Sequence, residues 1–491
     1  MNQNQFSSGL DINQVMDRAQ EAAEKFRQLD QEETDRIVYN VTQAAFEARV
    51  SLAQLAVEET GLGRWPDKVI KNVLASKIVY EHIKNIPTAG VIAVDRVNGL
   101  IEMAEPLGPI VALTPITNPT STVIFKILIA LKTRNPIIIR PHGAAKRCST
   151  EAARLCSEAA VKAGAPENCV QWIKFSTREE TAALMAHPKT ALVMATGSVD
   201  VVRAAFSSGK PTIGIGPGNV PVLVDSSADL AATAEAIIAS KTFDYGTVCA
   251  SEQALIVIKN KADNLGEELK KRGAYFLSAE EIKRLEPVAY NRQEAAMRVE
   301  VIGQPATKIA SLAGFEVPAD TTVLVACLEE IGPHSPLSLE ILAPILAFYV
   351  AEDEDRAFKL AQEILKHGGL GHTASIFSAD PGQIARFARA MPAGRILINT
   401  PASLGALGGI YNRLWPSLVL ACGHAANNPT MDNISVQHLF NRKRIAEPRL
   451  SPWFRPEIRT LYTDETLTLE KLNSVAESLS LEAENSSKAG G

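Results

Sequence analysis

Cys249 stands in the stretch SKTFDYGTVCASEQ, residues 240–253, between small residues that leave room for a substrate carbon beside its sulfur. A thiolate is intrinsically nucleophilic. Most lone cysteines are small buried hydrophobes, so this reading needs support from elsewhere in the chain. TPITNPTS, residues 114–121, reads as a turn between a strand and a helix whose N-cap is Thr120 or Ser121. Its Asn118 can donate a side-chain N–H to a developing oxyanion, although Asn before Pro is also ordinary turn chemistry. His372, in GLGHTASIFS, can shuttle a proton or orient a thiol, or be a loop histidine without a catalytic role. Gly197-Ser198 follows an apolar run and precedes a helical one, a geometry that offers backbone N–H groups to a phosphate. The full glycine fingerprint of dinucleotide sites is absent there. GIGPGN, residues 214–219, lets backbone approach a flat ring closely, or serves as a tight crossover. The acidic run Glu352–Asp355 reads as a solvated helix start.

The elements that must carry these residues alternate in type. Residues 11–75 show helical spacing, with Asp11 and Asp30 as N-caps and a stop at Gly61 and Gly63. Two alternating runs flank Asn98-Gly99, which predicts a hairpin over 89–105 that projects towards another subunit. From Pro106 to Asn399, short apolar runs alternate with amphipathic helices, the pattern of parallel sheet covered on both faces. The strand candidates before Cys249 are 110–113, 137–139, 170–173, 191–195, 212–215 and 221–224. Those after it are 254–258, 322–326, 345–350, 373–377 and 395–398. The fold class is therefore α/β, with two units and Cys249 at the start of the second, where a cleft could join cofactor and nucleophile. Residues 1–10 read as loose, and the polar end from Thr463 as solvated.

Bulk properties exclude several functions. A net charge of −5 and the lack of a Lys/Arg stripe argue against nucleic acid as a partner. Cysteines 148, 156, 169, 249, 327 and 422 show no metal-ligand spacing, so no metal is expected and a reducing cytoplasm is. The start lacks signal-peptide character and no apolar run is long enough to span a bilayer, so no membrane partner is expected.

Six longer motifs carry a resemblance: EPLGPIVALTPITNPTST, LKTRNPIIIRPHGAAKRCS, GIGPGNVPVLVD, SKTFDYGTVCASEQ, GGLGHTAS and GGIYNRLWPSLVLACG. In this order they resemble the CoA-acylating branch of the aldehyde dehydrogenase superfamily, and most of all the aldehyde dehydrogenase half of bifunctional aldehyde–alcohol dehydrogenases. The resemblance implies two Rossmann-like parallel-sheet domains plus a small β oligomerisation element. It implies a cofactor-binding domain over 1–241, with hairpin 89–105 assigned to oligomerisation, and a catalytic domain over 242–428. A return segment, 429–462, and a polar tail, 463–491, complete the expected organisation. Cys249 would be the nucleophile, Asn118 (or Thr117, if the turn shifts by one) the oxyanion donor beside the Cys249 N–H, and His372 a further catalytic group. Thr114, Pro115, Arg140, His142, Gly197, Ser198, Gly216, Pro217 and Glu340 would line the cofactor. The implied activity is reversible conversion of a short-chain aldehyde, acetaldehyde first, and CoA to acyl-CoA with NAD, or with NADP because Gly143 stands where relatives place a glutamate. The implied assembly is a homodimer or homotetramer. Hydrolytic members carry a water-activating glutamate where this chain has Ile215, which cannot take a proton from water. Arg413 raises an alternative, an anionic aldehyde such as succinate semialdehyde or sulfoacetaldehyde. A non-catalytic oligomeric scaffold is a rival from another class.

Overall fold

Runs of Val, Ile and Leu that are too short for helices and bounded by Gly, Pro and Asn set the strands of this protein. The structure is a computed structural model describing residues 10–489. The expected loose start falls on residues 1–9, which with 490 and 491 lie outside the described residues. The lead-in is helical: α1 (Ile12–Phe26), α2 (Gln31–Glu47), α3 (Arg49–Thr60) and α4 (Trp65–Val73), the last continuing through a π turn, Leu74–Ile78, into Val79–Ile83. Asp11 and Asp30 cap the first two as the sequence predicts, and Gly61 ends the third in the left-handed region.

A hairpin follows, β1 (Gly90–Asp95) and β2 (Leu100–Pro106), antiparallel around Asn98-Gly99. Then come β3 (Ile110–Leu113), β4 (Ile137–Arg140), β5 (Val170–Trp172), β6 (Leu192–Thr196) and β7 (Thr212–Ile215). They form a parallel sheet in the order β5-β4-β3-β6-β7. The chain runs outward from β3 to β5 and returns to β6, so β3 and β6 flank a topological switch point, where α/β sheets bind ligands at their carboxyl ends.

The second sheet contains β8 (Val220–Val224), β9 (Glu252–Ile258) and β10 (Ala274–Phe276). A two-residue hairpin, β11 (Tyr290–Asn291) and β12 (Ala296–Met297), branches off it. The sheet is completed by β13 (Val323–Cys327), β14 (Ile345–Ala351), β15 (Gly371–Phe377) and β16 (Ala393–Ile398). All seven strands are parallel, in the order β10-β13-β14-β9-β8-β15-β16.

β8 belongs to the second sheet, because Gly216–Asn219 carries the chain across from β7. Residues 469–489, within the expected polar tail, form a helix, and the strand β17 (Phe440–Ala446) lies in the return segment 429–462. Asn118, not Thr120 or Ser121, is the cap of the helix Pro119–Lys132, since Pro119 takes the first helical position, where its missing N–H costs nothing.

The chain forms two compact units. The larger, residues 1–89 and 105–441, holds both parallel sheets. The smaller, residues 90–104 and 442–491, holds most of a three-stranded sheet, β1-β2-β17. No helix among the described residues is long and apolar enough to cross a membrane.

Candidate functional site

The two parallel sheets bring opposite edges to the site. At the carboxyl edge of the first, β3 ends before Thr114-Pro115, β4 ends in Arg140, and β6 ends before Gly197-Ser198. These residues, scattered over more than eighty positions of sequence, therefore share one edge at the switch point. Ser198 caps the helix Val199–Phe206. The hydroxyls of Thr114 and Thr196 are buried there without a partner, as a site built for a polar ligand would leave them. Arg140 donates from Nε to Ser176 Oγ at 3.3 Å and from Nη1 to the Pro141 carbonyl at 3.0 Å, while His142 is exposed beside it. These features fit a dinucleotide.

At the amino edge of the second sheet, four neighbouring strands start next to Glu340, Cys249, Gly218 and His372. Glu340 precedes β14, Cys249 precedes β9, Gly218 precedes β8, and His372 is the second residue of β15. Only Gly216–Asn219 separates β7 from β8, a span of at most about 18 Å. The cofactor edge and the thiol edge are therefore close by covalent connection alone.

The thiol has defined company. His372 Nε2 lies 3.3 Å from Cys249 Sγ, and His372 Nδ1 lies 3.0 Å from Thr373 Oγ1. Cys249 is half-buried; His372 is fully buried. Burial, then the Glu340 carboxylate, pushes the Cys249 thiol up to about 12, with Arg395 opposing. Burial, and then Arg395, lowers His372 to about 3, so its imidazole is neutral. Glu340 is pushed up to about 8 by burial, and its Oε1 accepts the Gly218 N–H at 2.8 Å. Any side chain at Gly218 would place its Cβ 2.2 Å from the Cys249 carbonyl oxygen, so only glycine permits this approach. Among the described residues the Cys249 N–H donates to no other residue's carbonyl and lies against its own sulfur. Ile215 is buried in the apolar core at the end of β7. Arg413 is exposed.

A polar cluster missing from the sequence reading holds the loop before the thiol. Asp244 and Tyr245 both have φ of 50°, an uncommon conformation for non-glycine residues that surrounding structure must enforce. The Asp244 carboxylate accepts from Lys68 Nζ at 2.8 Å, Thr247 Oγ1 at 2.7 Å and the Arg64 N–H at 2.7 Å, and pairs with Lys71. Burial alone would raise Asp244; the Lys71 and Lys68 ammoniums outweigh it and leave its carboxyl below the ordinary range. Lys71 Nζ also donates to Asn118 Oδ1 at 2.6 Å and to the Thr247 carbonyl at 3.2 Å. Lys71 thereby ties Asn118 to the cysteine loop. Two lysines three residues apart on a half-apolar helix were the available sequence signal. Behind the thiol, burial lowers Lys241 and raises Glu252.

The family profile described as aldehyde dehydrogenase matches residues 3–410. The chain belongs to the aldehyde dehydrogenase family. It is 42% identical over 441 residues to the Bifunctional aldehyde-alcohol dehydrogenase AdhE of Escherichia coli strain K12, covering 89% of this chain and 49% of that protein. The chain thus spans about half the length of the first curated relatives it matches. Among solved structures it resembles an acetylating aldehyde dehydrogenase from Geobacillus thermoglucosidasius, at 43% identity and a TM-score of 0.88, covering 90% of this chain and 97% of that one. A Rhodopseudomonas palustris propionaldehyde dehydrogenase, solved with bound CoA and an acylated cysteine, gives 26% identity and a TM-score of 0.80, covering 90% and 98%. The chain accordingly carries the α/β fold of this family.

Proposed function

We propose that this aldehyde dehydrogenase is an acylating one, converting a short-chain aldehyde and CoA to acyl-CoA, reversibly, with acetaldehyde and acetyl-CoA as the simplest pair. The observation that carries it is the Cys249 thiol beside His372 at one sheet edge, covalently close to a dinucleotide edge. Cys249 attacks the aldehyde carbon, and the resulting oxyanion takes the Cys249 N–H and the Asn118 amide. The nicotinamide cofactor, when bound, supplies the hydride acceptor; Thr114, Pro115, Arg140, His142, Gly197, Ser198, Gly216 and Pro217 hold it, and Glu340 its ribose. Loss of the hydride leaves a thioester on Cys249. The CoA thiolate adds to that thioester carbon, and the C–S bond to Cys249 breaks, returning the cysteine and releasing acyl-CoA.

Ile215 supports CoA over water as the acceptor, because an aliphatic side chain at that position cannot activate water. The acylated cysteine and CoA of the Rhodopseudomonas relative support the same route. We read NAD as the cofactor, with NADP accepted because Gly143 presents no carboxylate to repel a 2′-phosphate. The same reading makes the protein a cytoplasmic homodimer or homotetramer.

The test is reduced-cofactor formation from acetaldehyde, with and without CoA, in wild type and Cys249→Ala. Wild type should turn over only with CoA, and the variant should lose activity by at least about a thousandfold. Equal rates without CoA would remove the acylating reading, and an active Cys249→Ala would remove the nucleophile. A panel of propionyl-, succinyl- and acetyl-CoA with both reduced cofactors then assigns the substrate.

A further inference from the structure

Behind the sulfur, three buried polar groups form a chain whose hydrogens can be assigned. Arg395 lies on β16, next to β15, which carries His372 and Thr373. Arg395 Nε lies 3.3 Å from Thr373 Oγ1. A guanidinium has donors and no acceptor, so this bond runs from arginine to hydroxyl. The other guanidinium bonds reach the carbonyls of Gly371, Ala421 and Met431, Asn433 Oδ1 and the Cys422 sulfur, which fixes its orientation. Thr373 Oγ1 has one hydrogen left to give. Its other partner among the described residues is His372 Nδ1, at 3.0 Å. Giving the hydrogen to Nδ1 satisfies both buried groups, whereas the reverse assignment strands a hydroxyl hydrogen without an acceptor. With its Nδ1 lone pair engaged, a neutral imidazole carries its proton on Nε2, the atom 3.3 Å from Cys249 Sγ.

We propose that Arg395 and Thr373 fix His372 as the Nε2–H tautomer, so that His372 donates a hydrogen bond to the Cys249 sulfur and stabilises its thiolate instead of removing its proton. Thr373 and Arg395 are then positioning residues. The inference rests on Cys249 being the reacting thiol. When the thiol ionises, its S–H bond breaks, the proton passes to solvent water, and the imidazole stays neutral. The groups facing the sulfur are Glu340 and Cys422, which disfavour the thiolate, and Arg395 and His372, which favour it. Arg395 is also the charge that faces His372. An uncharged donor suits this site because a second cation beside Arg395 would be disfavoured.

The experiment follows alkylation of Cys249 by iodoacetamide against pH, with the modified peptide identified by mass spectrometry. A Cys327→Ser background removes the exposed thiol. Neither aldehyde, cofactor nor CoA is added, so the result is separate from whether the protein turns over acyl-CoA. Thr373→Val should raise the apparent thiol pKa by about one unit, slowing alkylation at neutral pH about tenfold, and Thr373→Ser should restore it. His372→Gln keeps an N–H donor near the Nε2 position but offers no base, and should alkylate about tenfold faster than His372→Ala. A Thr373→Val profile like wild type, or a glutamine variant as slow as the alanine one, overturns the proposal. If Thr373→Val does not fold, the glutamine and alanine comparison decides alone.

Discussion

An ammonium has only hydrogens to offer, so the Asn118 atom 2.6 Å from Lys71 Nζ is the amide oxygen and not the nitrogen. That assignment turns the NH2 group the other way, where its recorded partner is the Thr117 hydroxyl at 3.2 Å. A hydroxyl is a weak competitor for a hydrogen that an oxyanion would take. Lys71 also pairs with Asp244 and reaches the Thr247 carbonyl, so one side chain orients the amide and braces the loop that ends in Cys249. Its ammonium is costly to bury; burial lowers it to about 8, against the pull of Asp244, which still leaves it charged at neutral pH. We expect Lys71→Met to lower kcat about tenfold to a hundredfold, the scale of a misdirected oxyanion donor. Cofactor affinity, measured by fluorescence titration, should change less than about threefold, since the cofactor edge is untouched. A variant with wild-type kcat would show that the amide finds its orientation without the lysine.

At the scale of elements, the site exists because the carboxyl edge of one sheet is joined to the amino edge of the next by a four-residue connection, Gly216–Asn219. Glu340 clips that connection to the segment before β14 through the Gly218 N–H. The Gly218 bond favours the charged carboxylate, but burial outweighs it, so stability depends on pH. Burial raises Glu340 to about 8, so the folded protein holds this proton more tightly than the unfolded chain does. The resulting stability is complete below the ordinary carboxylate range and is lost as pH rises through about 8. Glu340→Gln keeps an oxygen for the Gly218 N–H and removes the ionisation. Its melting temperature should therefore gain on wild type steadily from acid to mildly alkaline pH, by up to ~5 kcal/mol of stability, and then level off. A difference that does not vary with pH would mean that Glu340 ionises normally in the fold.

Across the whole molecule, what was legible in the sequence was what depends on neighbours in sequence. β3 and β7 were read to the residue, because their apolar runs are bounded by Pro and Gly. That β8 joins the second sheet was not legible, because GPGN looks the same whether the next strand joins the old sheet or a new one. Lys71 and Arg395 were missed because their partners are distant: Asp244 lies 173 positions from Lys71, and Ala421 lies 26 from Arg395. The smaller unit poses a different question. In β1 Val91 and Val94 are exposed by 52% and 56%, and Ile445 on β17, with Leu450 and Phe454, is exposed as well. Apolar side chains on exposed strands are a liability unless a partner covers them. A second copy of this chain is the partner the proposed homo-oligomer supplies, and it would bury these residues. Val91→Asp with Val94→Asp places charge there without entering either parallel sheet. In sedimentation velocity the double variant should shift to a smaller species than wild type, while alkylation of Cys249 proceeds at the wild-type rate. An unchanged sedimentation coefficient would place the contact between copies elsewhere on the chain.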